Sequence, residues 1–441
     1  MRLVSVHKHA LFIIFSLLIT NISLAQQWSL QQCLDTAHDQ NRNLQIARNN
    51  IERSRINERE AKSNLMPKLT VNADYKYFTN LPYQLLPLST FVPTAPEGQF
   101  KEAQFGVPHN INANLQLAIP LYNPQVYGGI EATKVATEVT ELKYEQRQEQ
   151  IYFEIANLYY NAQILQTQIT FIDSNLVNAN RLLRNVELLQ QQLLATGTDV
   201  ERLKLQVAQL STQKQTLDSK FVQLLRILKF TIGIPIDEQF DIEKTIPFTE
   251  VKIYNSNISL DSKLMEAQNR LLRIELNTLN KTRYLPTINL IGSYGTTGLG
   301  YDKQPNSFLN FYPIGFAGLQ ISYPLFNGNT TLRRIDQKQI EINSNNLQFN
   351  LIQDQNEMQI ANAKMQCNTT YHNIETTGQQ IDLAKTIYAN TVLQQKQGIV
   401  SLTEVLLADN ALREAQQANV SAIVDYLKAD LELKKLTGNI K

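Results

Sequence analysis

The sequence predicts a mainly α-helical fold in two duplicated halves, each joining a long coiled-coil helix to a two-stranded β-hairpin. Three observations carry this. The first is repetition: Leu115-Gln116-Leu117-Ala118-Ile119-Pro120-Leu121-Tyr122-Asn123 returns as Leu319-Gln320-Ile321-Ser322-Tyr323-Pro324-Leu325-Phe326-Asn327, and Leu228-Lys229 before Gly233 returns as Leu433-Lys434 before Gly438. The two spacings differ by one residue, so a whole unit is duplicated; the period is far too long for a solenoid. The second is continuity: residues 130–196 contain no glycine or proline, and residues 329–397 contain no proline. The third is a set of segments in which apolar and polar residues alternate, the pattern of a half-buried strand.

At the amino terminus, Arg2 and Lys8 precede the apolar run 11–19 and then Ser23-Leu24-Ala25. This is the layout of a cleaved signal peptide over residues 1–25, with the mature chain starting near Gln26. The apolar run is about half the ~20 residues a spanning helix needs. Cys33 follows bulky, polar Leu30-Gln31-Gln32 rather than the small residues a lipid-attachment site requires, so it reads as a buried helix residue. With Cys367 as the one other thiol, the cysteines give no disulfide framework.

The organisation then follows in order. Residues 26–65 read as helical. Residues 66–121 form a first hairpin: Leu69, Val71, Ala73, Tyr75 and Tyr77 alternate with polar neighbours, as do Ile111, Ala113, Leu115, Leu117 and Ile119. The loop between them, 79–108, holds Pro82, Pro87, Pro93 and Pro96. Residues 122–230 are helical again. Ile151, Ile155, Leu158, Ala162, Leu165, Ile169, Ile172 and Leu176 keep a four-three alternation, a coiled-coil seam that Ala179, Leu183, Val186 and Leu193 extend past polar Gln190. As one helix, residues 130–196 would run roughly 100 Å at about 1.5 Å per residue. Residues 231–257, with Pro235 and Pro247, break the pattern; 258–284 resume it.

The second hairpin occupies 285–326, with Ile288 and Leu290 in one strand and Leu319, Ile321, Tyr323 and Leu325 marking the other around a loop at 295–311. Residues 327–441 hold the second long helix, less regular in its seam and interrupted by Gly378, and a last helix near 402–437.

Strands of about ten residues with one apolar face are what a transmembrane barrel is made of. Tyr75, Tyr77, Phe78, Phe308, Phe311 and Tyr312 are candidates for its outer aromatic girdle. Two hairpins give four strands, whereas closed membrane barrels start at about eight. Lipid tolerates no open sheet edge, so closure requires several chains.

The whole mature chain resembles the TolC-like outer-membrane efflux protein family. The residues that carry the resemblance are Trp28-Ser29-Leu30-Gln31-Gln32-Cys33-Leu34, the strand starts Met66-Pro67 and Leu285-Pro286, the two proline-containing strand exits quoted above, and residues 398–409. The resemblance implies a homotrimer whose strands pool into a twelve-stranded β-barrel in the outer membrane, in contact with its lipid. The long helices would form a coiled-coil α-barrel, a tunnel into the periplasm, and residues 231–257 would form an equatorial segment around it. It further implies an exit duct of a tripartite efflux pump or type I secretion system, with a periplasmic adaptor protein and an inner-membrane transporter as partners.

The resemblance also implies a gate where the helices turn at the periplasmic tip. Glu404 falls on a position that is often acidic and pore-lining; Asp199, Asp409 and Arg202 complete the gate candidates. The family can pair an aspartate like Asp199 with an arginine, but Val400 stands at the arginine's place, leaving Arg202 as a substitute. Gly197, Thr198, Val200, Gly398, Val400, Ser401 and Leu402 would form the tip that meets the adaptor. Independently of the family, three carboxylates gathered by threefold symmetry attract cations and resist ionising together. As a single residue, Glu404 reads equally as a solvated glutamate at a helix terminus.

Other chemistry is not indicated. Lys and Arg number 41 against 40 Asp and Glu, so no nucleic-acid footprint appears. His38, His109 and His372 lie in different elements with no metal-ligand spacing. No phosphate loop, nucleophile elbow or cysteine–histidine signature is present, and neither a cofactor nor an enzymatic activity is expected. A soluble periplasmic coiled-coil adaptor or spacer would share the export signal and the long helices, but not two equivalent halves with paired hairpins.

Overall fold

The structure is a computed structural model that describes residues 27–244, 254 and 258–439. The signal peptide expected at 1–25 lies outside the described residues, and of 231–257 only 231–244 and Tyr254 lie within them. By its internal contacts the chain divides into two units, one of Met1–Ile51, Glu141–Met265 and Gln348–Lys441, the other of Glu52–Thr140 and Glu266–Leu347.

The first unit is helical. Two-residue strands β1 (Gln27–Trp28) and β6 (Asp241–Ile242) pair in parallel. Helix α1 (Leu30–Gln40) starts at a capping box: Ser29 Oγ accepts from the Gln32 amide at 3.2 Å, and Gln32 Oε1 accepts from the Ser29 amide at 3.0 Å. The helical stretch expected at 26–65 is divided at Asn41, after which α2 (Arg42–Ser63) begins. Asn41 explains the break. Its Nδ2 donates to the Thr231 carbonyl and its Oδ1 accepts from the Leu44 amide at 3.0 Å, so the side chain caps the second helix while tying it to a distant segment.

The long helix α3 (Pro124–Gln191, 68 residues) is followed by α4 (Gly197–Ile232). Its second-half counterparts are α6 (Thr330–Lys396, 67 residues) and α7 (Leu402–Leu436). α6 runs through Gly378 without a break. Part of the seam read from the sequence is core: Ile151, Ile155 and Ala162 pack with Cys33, Leu34 and Ala37 of α1, Leu44 of α2, and Leu228 and Ile232 of α4, whereas Leu193, expected to extend the seam, lies past the end of α3 and is exposed. Tyr159, 2 % exposed, donates from its hydroxyl to the Trp28 carbonyl at 2.9 Å, which satisfies the one polar atom this ring brings into the core.

The second unit is a four-stranded antiparallel sheet in the order β2 (Lys68–Tyr77), β5 (His109–Tyr122), β7 (Thr287–Tyr301) and β8 (Phe308–Ser322), with the ends of α2, α3, α5 (Leu260–Tyr284) and α6. Each hairpin is a neighbouring pair, and β5 joins the two through its pairing with β7. Two expectations need correcting. The loop expected at 295–311 is mostly strand, because β7 continues to Tyr301 and β8 resumes at Phe308, leaving only 302–307 to turn. Gly298 explains the difference: it sits opposite Phe311, and a Cβ there would come within 2.7 Å of that ring. The glycine marks a close approach under an aromatic side chain, not a turn. Likewise, the loop at 79–108 contains a ribbon of β3 (Tyr83–Pro87) and β4 (Phe100–Gln104).

Register sorts the faces. Leu69, Val71, Ala73 and Tyr75 of β2 lie opposite Leu117, Leu115, Ala113 and Ile111 of β5, while Thr70, Asn72 and Asp74 lie opposite Gln116, Asn114 and Asn112. One face is apolar and the other polar, as alternation demands. Of the expected girdle, Tyr75 and Phe311 fall in one row on the apolar face through Ile111 and Gly298. Phe308 and Tyr312 fall on the other face, where β8 also places Ile314 and Phe316, so β8 is apolar on both sides.

Candidate functional site

The turns between α3 and α4 and between α6 and α7 are built alike. Each long helix ends on a residue with positive φ, Leu193 at 62° and Gly398 at 73°. The following amide then reaches back to close the helix, Leu194 to the Leu189 carbonyl at 2.9 Å and Ile399 to the Gln394 carbonyl at 2.9 Å. This is the bond pattern of a Schellman motif. Glycine adopts that conformation without strain, whereas Leu193 adopts it with its side chain 92 % exposed. The next helices begin three residues on, with Thr196 capping α4 and Ser401 standing at the cap of α7.

At this point the halves diverge. Thr196 and Asp199 form a capping box: Thr196 Oγ1 accepts from the Asp199 amide at 3.2 Å, and Asp199 Oδ2 accepts from the Thr196 amide at 3.2 Å and hydroxyl at 2.6 Å. Glu404 occupies the equivalent third position of α7, but Ser401 makes no side-chain capping bond. Glu404 is exposed, and among the described residues no side-chain hydrogen bond or ion pair engages its carboxylate. One duplicated acid is spent holding its own helix start; the other is uncommitted.

The two helix starts are joined within the protomer. Val186, Val200, Leu203 and Leu402 form a buried cluster flanked by Leu182, Leu183, Ala195 and Leu406. Arg202 Nη1 donates to Thr403 Oγ1 at 3.2 Å. One turn further, Gln206 Nε2 donates to Asp409 Oδ2 at 2.6 Å, and Arg413 Nε pairs with the same oxygen at 3.2 Å. Asp409 is 7 % exposed. Burial pushes its carboxyl above the usual range, against the opposing pull of Arg413 and the Gln206 bond.

Among the candidates drawn from the sequence, Arg202, Val200, Leu402 and Asp409 therefore meet at the contact between α4 and α7. Gly197 and Thr198 open α4, while Gly398, Val400 and Ser401 make the second turn. Thr403, Gln206 and Arg413 were not singled out. The i,i+4 spacing of Asp409 and Arg413 was visible; the partnership of Gln206 with a residue 203 positions away was not.

Elsewhere, the described residues hold no group of three or more His, Cys, Asp and Glu arranged to bind a metal. Cys33 and Cys367 are buried free thiols in separate clusters. Burial pushes the Cys33 thiol up to about 12, with Glu243 adding to the shift.

Comparison with known proteins bears on this arrangement. Residues 264–439 match the family described as outer membrane efflux protein. The alkaline protease secretion protein AprF of Pseudomonas aeruginosa is 21% identical over 359 residues, covering 78% of this chain and 73% of that protein. The outer membrane protein TolC of Salmonella enteritidis is 20% identical over 406 residues, covering 86% and 76%. The family match covers 176 of the 441 residues, and both relatives resemble the chain along most of its length. The likeness is to proteins of the outer membrane and supports that placement for this chain. The fold agrees: the crystal structure of the outer membrane protein VceC of Vibrio cholerae matches with a TM-score of 0.73 at 17% identity, covering 93% of this chain and 96% of that one.

Proposed function

We propose that three copies of this chain form the outer-membrane exit duct of an efflux pump or type I secretion system. The observation that carries the reading is the sheet. β2, β5, β7 and β8 contain ten to fifteen residues each, about the length that crosses a bilayer when tilted, and β2 and β8 are edges with unpaired backbone. An open edge in lipid leaves unsatisfied amides and carbonyls, each costing several kcal/mol. Three copies, β8 of one pairing β2 of the next, would remove every edge and give twelve strands. A soluble spacer would instead hold Leu69, Val71, Phe311, Leu319 and Ile321, all exposed, in water.

In this duct the chain does no chemistry. Cargo passes from an inner-membrane transporter, through a periplasmic adaptor, into the helical tunnel and out. The turns at 192–196 and 397–401 are the tip to which the adaptor docks, and their exposed Leu193, Leu194 and Ile399 supply apolar contact. Glu404 lines the constriction: it alone of the acidic candidates keeps a carboxylate free to face permeating ions. Asp199 holds the first helix start. Arg202 and the Gln206–Asp409 pair keep α4 and α7 together, so they resist opening.

Planar-bilayer recording tests the reading. The wild type is expected to give cation-selective steps. The pair Arg202→Ser with Gln206→Ala removes both bonds between α4 and α7 and is expected to lengthen open times. Stable insertion without conduction by either protein would contradict the duct.

A further inference from the structure

All helix–strand junctions of the sheet unit lie at one end of the sheet. Register pairs Lys68 with Ala118, Tyr122 with Ile288 and Thr287 with Ser322, so the start of β2, the end of β5, the start of β7 and the end of β8 share that end. The junctions, residues 61–68, 121–130, 278–286 and 323–335, contain six basic side chains and no acidic one: Lys62, Lys68, Lys281, Arg283, Arg333 and Arg334. All six are exposed. The opposite end differs. Its connections at 78–108 and 302–307 carry Glu97, Glu102 and Asp302 against Lys101 and Lys303. In a chain of net charge +1, this is local sorting and not a general excess of base.

The cations are available. Lys62 pairs with half-buried Glu58 at 2.7 Å and Arg333 with exposed Asp336 at 3.2 Å, each pair within one helix and with its cation exposed to solvent. Lys68, Lys281, Arg283 and Arg334 form no ion pair among the described residues. Lys68 opens β2 itself, while in sequence exposed aromatic groups separate Lys281, Arg283, Arg333 and Arg334 from β7 and β8, with Tyr284 61%, Tyr323 49% and Phe326 81% exposed. The Arg283 guanidinium stands 5.1 Å from the centroid of the Tyr284 ring. An aromatic belt at headgroup level, with Lys and Arg reaching just beyond it, is how a protein meets the polar boundary of a bilayer. Three of the six are arginines, whose planar fork suits phosphate oxygens.

We propose that this end of the sheet docks the anionic phospholipid headgroups of the periplasm-facing leaflet, taking their phosphates against the junction cations. The inference rests on the outer-membrane reading above and adds to it a lipid class and the leaflet. It fixes the depth of the barrel by charge as well as by apolar area.

Native mass spectrometry of the detergent-extracted mature protein, given equimolar phosphatidylglycerol and phosphatidylcholine, tests it. Each basic group near an anionic surface is worth a factor of about five in partitioning, so retained phosphatidylglycerol is expected to exceed phosphatidylcholine by about fivefold or more. The variant Lys281→Gln/Arg283→Gln/Arg333→Gln/Arg334→Gln is expected to bring the ratio near parity, while Lys101→Gln/Lys303→Gln keeps it. Undiminished preference in the first variant overturns the inference. Vesicle binding gives a readout that needs no variant: a preference that survives about 1 M salt, where the screening length is about 3 Å, overturns it equally. Flotation separates the two readings. A wild type that floats with neither phosphatidylglycerol nor phosphatidylcholine vesicles contradicts the outer-membrane placement, whereas one that inserts in both without preference overturns this inference alone.

Discussion

Replacing Gln206 by alanine removes the bond to Asp409 and leaves that buried carboxylate with Arg413 alone. A hydrogen bond to a charged group contributes about 1.5–3 kcal/mol, and the 2.6 Å separation with Asp409 7 % exposed places this one in that class. At about 1.4 kcal/mol per tenfold, local opening of the α4–α7 contact becomes about ten to a hundred times more frequent. Hydrogen exchange read by mass spectrometry resolves it: amides of 200–210 and 405–413 should exchange faster by that factor, while those of β5 and β7 should not change. Gln206→Glu sharpens the test. A second carboxylate at this site disfavours ionising both, so Asp409, already raised by burial, would rise further. A raised carboxyl binds a proton more tightly in the closed state than in the open one, so closing is favoured at acid pH and weakens as pH rises through the raised value. Exchange in Gln206→Glu should therefore accelerate with pH beyond the intrinsic amide rate. Unchanged exchange in Gln206→Ala, or an equal rise in the sheet, would refute the view that this pair holds the helix starts together.

Three further outcomes are expected. Glu404→Gln should lower cation selectivity in single-channel recordings, read as a shift of the reversal potential under a salt gradient, whereas Glu201→Gln, exposed and paired with Lys204, should leave it in place. Gly128→Val should prevent assembly, because a side chain there overlaps that of Thr278 on α5, while Gly129→Ala, whose Cβ meets nothing within 4 Å, should assemble; gel filtration in mild detergent distinguishes them. Cys33, fully buried with its thiol pushed up to about 12, should resist maleimide at neutral pH in the folded protein and react once denatured; rapid labelling of folded protein would contradict the packing of α1.

The parts legible in the sequence are those where one local pattern decides the structure. The seam from Ile151 to Leu176 gives α3 because its period leaves one buried stripe, and the alternation from Leu69 to Tyr77 gives β2 because one face is apolar. Where two local rules conflict, sequence alone favours the wrong one. Gly298 and Gly300 look like a turn, yet Phe311 lies over Gly298 and the strand continues. Prolines 82 to 96 hide the β3–β4 ribbon, which tolerates Pro87 at a strand end. Asn41 looks like an ordinary helix residue until its bond to Thr231, 190 positions away, shows it to be a cap. At the tip, the capping pattern of Thr196 and Asp199 was readable in principle. The separation of roles between Asp199 and Glu404 was not, since it depends on which carboxylate remains uncommitted after folding.

Oligomeric state tests the central claim most directly, because four strands make a pore only when copies combine. Light scattering of the detergent-extracted mature protein, corrected for bound detergent, should give three times the mass of one chain. A monomer that remains soluble and monodisperse without detergent would contradict the pooled barrel and the duct built on it.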